Sequence, residues 1–158
     1  MNQSKPWAKQ WCLILGASSG FGEAISLECA KRGYNIFGVH LDRKSTLPKV
    51  EEIKTKIKTY GQKAEFFNIN ASDEEKRKEV LHQISEILKK ENSSLKLLVH
   101  SLAFGTLKPF ITDNPSDGIS KSQIEMTLDV MSNSLVYWTQ DIVRQKLMSK
   151  NSFIFAMT

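Results

Sequence analysis

The sequence predicts an α/β fold: a doubly wound parallel sheet held between two layers of helices. Three observations predict it. Short apolar runs alternate with longer stretches in which apolar residues recur every three or four positions. Glycines stand at the boundaries between them. The resulting order is β-α-β-α-β-α-β-α-β, and strands separated by helices pair in parallel through right-handed crossovers.

The elements follow in order. Trp11-Cys12-Leu13-Ile14-Leu15 is a buried-strand run that ends at Gly16. A helix is expected from Phe21 to Arg32, with Phe21, Ile25 and Cys29 on its inner face and Gly33 as its stop. Asn35 to Val39 reads as the second strand. From Leu47 to Tyr60, Val50, Ile53, Ile57 and Tyr60 repeat at helical spacing, and Gly61 ends the run. Ala64 to Phe67 is the third strand. Ser72 is expected to open the third helix in a capping box with Glu75, ahead of a stripe of Val80, Leu81, Ile84, Ile87 and Leu88. Leu95 to Val99 is the fourth strand. Phe104 to Ser120 holds two prolines and two glycines and reads as a long loop. One long helix is expected through Ile124, Leu128, Met131, Leu135, Trp138, Ile142 and Leu147. Ser152 to Met157 is the fifth strand, after which the chain stops. This is a Rossmann-like, three-layer sheet truncated after the fifth strand.

Composition narrows the function classes. The 158 residues suit a single domain, and 41% hydrophobic with 25% charged residues excludes a mostly disordered chain. No run of about 18 apolar residues exists, so no spanning helix and no membrane partner is expected. The polar start and the short run Trp11–Leu15 do not make a secretory signal. Cys12 and Cys29 lie in apolar runs and read as buried free thiols of a reducing compartment, so the expected location is the cytoplasm. The net charge is +5, but cations and acids interleave, as in Glu74-Glu75-Lys76-Arg77-Lys78-Glu79. That pattern describes solvated helix faces, not a nucleic-acid patch.

The sharpest feature is Gly16-Ala17-Ser18-Ser19-Gly20-Phe21-Gly22, between the first strand and the first helix. Glycines there permit a tight turn, a close approach of backbone to a pyrophosphate, and close packing of helix on strand. The pyrophosphate would lie at the helix N-terminus, where free N–H groups point outward. Ser18 and Ser19 add hydroxyl donors. An ordinary glycine-rich turn is the alternative; the strand before and the helix after favour nucleotide binding.

The spacing Gly-x-x-x-Gly-x-Gly resembles that of the short-chain dehydrogenases/reductases, and the resemblance extends from Trp11 to Thr158. His100-Ser101-Leu102-Ala103-Phe104 stands where that family carries Asn-Asn-Ala-Gly, and it is similar to the form found in enoyl-[acyl-carrier-protein] reductases. Asn70-Ala71 matches the pair that contacts adenine, with Asn in place of Asp. Asn133 matches the helix asparagine that would hold a water in a proton relay. Leu15 replaces the usual threonine. The resemblance implies a dinucleotide cofactor and hydride transfer to a small carbonyl or enoyl substrate, such as an acyl thioester of fatty acid metabolism. It also implies a homo-oligomer formed through the long fourth helix, with Trp138 and Met131 serving core and interface together. His40 occupies the place where NAD-specific members carry an acid, and the cations Arg43 and Lys44 follow. NADP(H) is therefore the favoured cofactor, with NAD(H) the alternative if Asp42 holds the ribose.

The family's chemistry needs a Tyr and a Lys four residues apart. Tyr34 is followed at that distance by Gly38, Tyr60 by Ala64 and Tyr137 by Asp141. The catalytic Ser, Tyr and Lys would lie beyond Thr158. Residues 1–158 are thus expected to be the N-terminal cofactor-binding domain of a longer enzyme; the alternative is a non-catalytic nucleotide-binding or interaction module. His40, His82 and His100 lack metal-ligand spacing, and no metal site is expected.

Overall fold

The computed structural model describes residues 10–157. Its strands are β1 (Trp11–Leu15), β2 (Asn35–His40), β3 (Ala64–Asn68), β4 (Leu95–His100) and β5 (Met148–Ala156). They form one parallel sheet in the order β3-β2-β1-β4-β5. The chain builds one wing outward from β1, then crosses back to place β4 on its other side. Such a reversal opens a crevice at the carboxyl ends of the two central strands.

The helices are α1 (Gly20–Lys31), α2 (Leu47–Thr59), α3 (Glu74–Glu91), α4 (Lys121–Leu128) and α5 (Ser134–Arg144). Strand alternation sorts the core between the two faces. Trp11, Leu13 and Leu15 pack with Leu81, Ile84 and Trp138 from α3 and α5. Cys12 and Ile14 pack with Ala30, Ile53 and Ile57 from α1 and α2. Every residue of β1 is fully buried. Among the described residues, no helix is long and apolar enough to cross a membrane.

The local expectations fail in five places, each for a physical reason. The buried face of α1 is Gly22, Ser26 and Ala30, not Phe21, Ile25 and Cys29. Small residues let this helix press against the glycine turn, and a Cβ at Gly22 would strike the Gly16 carbonyl. Phe21 is left 71% exposed, and Cys29 is half-buried where full burial was expected. The capping box of α3 does not form. Ser72 gives its amide and hydroxyl to the Asn70 side chain at 3.1 and 3.0 Å, and Asp73 caps the helix by accepting from Lys76 N–H at 3.0 Å. The expected long helix is two, joined by a π-helical turn at Asp129–Asn133. Trp138 is wholly buried, donating to the Ala71 carbonyl at 2.9 Å, so it serves the core alone. Finally, β5 starts at Met148, and its pairing with β4 jumps from Leu95↔Met148 to Leu97↔Phe153. The Ser152 hydroxyl closes this irregular stretch on the Leu95 carbonyl at 2.9 Å.

Candidate functional site at the switch point

A cavity of about 400 Å³ opens where the carboxyl ends of β1, β2 and β4 converge. The turn after β1 forms its floor. Gly16 has φ +89°, and a Cβ there would collide with the Ser101 carbonyl and Leu102. Only glycine allows the turn after β1 and the strand end after β4 to lie this close. Both are anchored: Gly16 N–H donates to the Val39 carbonyl at 2.8 Å, and Ser101 N–H to the Leu15 carbonyl at 2.8 Å. Ser18, Ser19, Gly20 and Phe21 continue the floor into α1. The Ser19 side chain does not cap that helix, so the amides of its first turn keep their capacity to bind an anion.

One wall follows β2. His40 Nδ1 meets Asp42 Oδ2 at 2.9 Å. Asn68 holds the Asp42 backbone at both ends, accepting from its N–H at 2.9 Å and donating to its carbonyl at 3.0 Å. Burial alone would raise the Asp42 carboxyl, but hydrogen bonding from Ser18, Thr46 and His40 outweighs it and holds the group below its ordinary 3.8. Burial keeps His40 below 6.5 despite the carboxylate beside it. The pair is therefore a neutral imidazole donating from Nδ1 to an ionised Asp42. Ile69, Asn70 and Ala71 continue this wall.

The opposite wall is Ser101, Leu102, Ala103 and Phe104 after β4, faced by Met126 of α4 and Val130 of the π turn. The stem of the loop is pinned there: Thr106 N–H donates to Thr127 Oγ1 at 3.1 Å, and Gly105 lies against the Thr127 side chain.

The cavity thus gathers Gly16, Ser18, Ser19, Gly20, Phe21, His40, Asp42, Asn70, Ala71, Ser101, Leu102 and Ala103, all singled out in the sequence. Gly22 stands behind the floor as a packing residue. Arg43 and Lys44 are exposed outside the lining. Asn133 lies in the π turn, exposed, beside Tyr137 and outside the lining. Sequence reasoning missed Val39, Leu41, Ile69, Phe104, Met126 and Val130 as lining residues. A four-residue spacing puts Met126 and Val130 on one helix face, but spacing carries no signal for which part of the molecule that face meets. Among the described residues, no Tyr or Lys lines the cavity.

Comparison with known proteins agrees with this architecture. The family model for short chain dehydrogenases matches residues 10–154. The very-long-chain 3-oxoacyl-CoA reductase of Ajellomyces capsulatus is 35% identical over 77 residues, 47% of this chain and 23% of that protein. Human 17-beta-hydroxysteroid dehydrogenase type 3 is 50% identical over 48 residues, 30% of this chain and 14% of its own. Among solved structures, a Serratia marcescens short-chain dehydrogenase/reductase superposes with TM-score 0.73 at 16% identity, over 96% of this chain and 56% of that one. An NAD+-bound xylitol dehydrogenase gives TM-score 0.73 at 15% identity, over 96% and 54%. The chain spans little more than half the length of these solved relatives. Family model, sheet order and glycine turn agree: the chain belongs to the short-chain dehydrogenases/reductases, a family of oxidoreductases that bind NAD(P) and act on small molecules.

Proposed function

We propose that the cavity binds a nicotinamide dinucleotide, with its pyrophosphate over the glycine turn and the α1 amides. The adenosine end would lie against Asp42 and Asn70, the nicotinamide end against Ser101, Ala103 and Val130. The observation that carries this reading is the uncapped α1 N-terminus facing the cavity beside a glycine that admits no side chain. Calorimetry tests it: a folded Gly16→Val chain should lose binding of both NADH and NADPH, and unchanged affinity would reject the site.

Arg43 and Lys44 in the sequence favour NADP(H), whereas the place of Asp42 in the lining supports NAD(H). Asp42 faces the cavity as an anion where a 2′-phosphate would sit, while the two cations stand outside. We therefore expect NADH to bind more tightly than NADPH by about ten-fold, the effect of one charge-assisted contact. Asp42→Ala should narrow the difference; tighter NADPH binding by the unaltered chain would return the choice to Arg43 and Lys44.

We further propose that residues 1–158 form the cofactor-binding unit of a longer cytoplasmic enzyme that moves hydride to a carbonyl or enoyl group. The similarity to a 3-oxoacyl-CoA reductase supports an acyl-thioester substrate. Asn133 is proposed to hold a water in the proton relay. A homo-oligomer would form through the outer face of α4 and α5, where Leu128, Met131 and Val136 are exposed. A second reading is a non-catalytic nucleotide-binding module: among the described residues, no Tyr or Lys lines the cavity. Hydride transfer from either cofactor by the purified 158-residue chain would show that other groups deliver the proton.

A further inference from the structure

We propose that His100 is a positioning residue: through Ser134 and the Val130 carbonyl, its imidazole fixes the π turn that makes Val130 a wall of the cofactor cavity. The link to the cofactor rests on the pocket reading above; the link to the turn does not.

In a continuous α-helix the Ser134 amide would bond to the Val130 carbonyl, four residues back. At the π turn the backbone N–H at Ser134 instead reaches the Asp129 carbonyl, five residues back. The Val130 carbonyl is met by the Ser134 hydroxyl, which donates to it at 2.8 Å. That hydroxyl has one proton. With the proton committed to the carbonyl, it can only accept from the group on its other side, His100 Nε2 at 2.8 Å. Nε2–H is the tautomer that this arrangement requires, and the imidazole also lies within hydrogen-bonding reach of the Val130 carbonyl and of its own backbone carbonyl. His100 is 2% exposed and Ser134 fully buried, and burial holds the imidazole below 6.5 and neutral.

His100 suits this task by its place. It is the last residue of β4, and the next residue, Ser101, begins one wall of the cavity. Its neighbours across the sheet are Leu15 and Ala156, neither of which offers a hydroxyl, so the imidazole finds its partner in the helix layer. One side chain thus ties the strand end that starts one wall to the turn that supplies the facing one. A π turn within an α-helix is uncommon and recurs at functional sites. Here it turns Val130 inward, to 6% exposure, against the cavity.

The test uses the full chain without and then with cofactor. Imidazole ¹⁵N spectra should show the Nε2–H form. Amide exchange from Val130 to Leu135 should accelerate by about ten-fold in His100→Leu and in Ser134→Ala, the loss of about one buried hydrogen bond. His100→Gln, whose Nε2 donor reaches the same hydroxyl, should restore slow exchange. The Kd for NADH should weaken about ten-fold in His100→Leu and stay within about two-fold in His100→Gln. If His100→Leu does not fold, Ser134→Ala carries the same readouts. An Nδ1–H tautomer, or unchanged exchange in the variants, overturns the clamp. Faster exchange with unchanged NADH affinity overturns its role in shaping the cavity. An unaltered chain that binds neither NADH nor NADPH overturns the pocket reading, and with it the link from His100 to cofactor, while the exchange data still decide the clamp.

Discussion

The first and fifth strands start from the same kind of sequence and reach opposite ends. Trp11–Leu15 is fully buried, with α3 and α5 on one face and α1 and α2 on the other. Phe153, Ile154 and Phe155 are just as apolar, yet 55%, 40% and 54% exposed. Phe153 and Phe155 stack on one face with ring centroids 6.1 Å apart, and Ile154 points to the other. An apolar run secures a place in the sheet through its backbone hydrogen bonds. Its depth depends on what arrives over each face, and among the described residues β5 pairs with β4 alone.

Truncation is the strongest way to break this contrast. Trp11 stacks on Phe37 with centroids 3.9 Å apart and bonds Glu91 through its indole N–H. Trp11→Ala should cost about 3–5 kcal/mol. Phe153→Ala should change stability by less than about 0.5 kcal/mol, as at other exposed sites. Denaturant unfolding of both checks this; equal losses would mean that β5 is buried in solution.

A smaller effect belongs to the turn that β1 leads into. Gly22→Ala has no room, because the Gly16 carbonyl occupies the place of the new methyl. Overpacking of this kind should cost about 1–3 kcal/mol and weaken cofactor binding as the turn shifts. A fully stable Gly22→Ala chain would show that α1 can lift from the turn.

Acid sharpens the comparison by acting on the sealed strands. His40 ends β2 and His100 ends β4, and burial holds both below 6.5. Unfolded imidazoles take a proton near 6.5, while the folded ones resist until lower pH. Below about pH 6.5 the unfolded state therefore binds more protons and stability falls, by up to about 1.4 kcal/mol per pH unit for each histidine. Asp42, held below 3.8 in the folded chain, adds a second loss only as pH falls through its depressed value. Melting curves from pH 8 to 5 should decline, and His100→Gln should flatten the slope. A flat wild-type profile would show that neither imidazole is held neutral.

The smallest effect is local. Asp73→Ala should cost about 1 kcal/mol through the cap of α3, whereas Ser72→Ala should cost less than about 0.5 kcal/mol. The reverse order would restore the capping box that the sequence suggests.

Sequence periodicity carried the order of elements, and with it the parallel sheet, because helical and strand spacing are local properties of the chain. The glycine turn was legible for the same reason: Gly16, Gly20 and Gly22 act within seven residues of one another. Tertiary structure alone decided the rest. Asp42 lines the cavity while Arg43 does not because Asn68, on a different strand, grips the Asp42 backbone. The helix expected to run unbroken from Ile124 contains a π turn, where a buried histidine from β4 meets Ser134. α1 buries Ser26 and exposes Phe21 because the helix must lie close to the turn, and only small side chains leave that space. Local spacing sets which backbone hydrogen bonds a segment can make. Which side chains face the cavity depends on contacts between residues far apart in the chain, and those exist only once the sheet has closed.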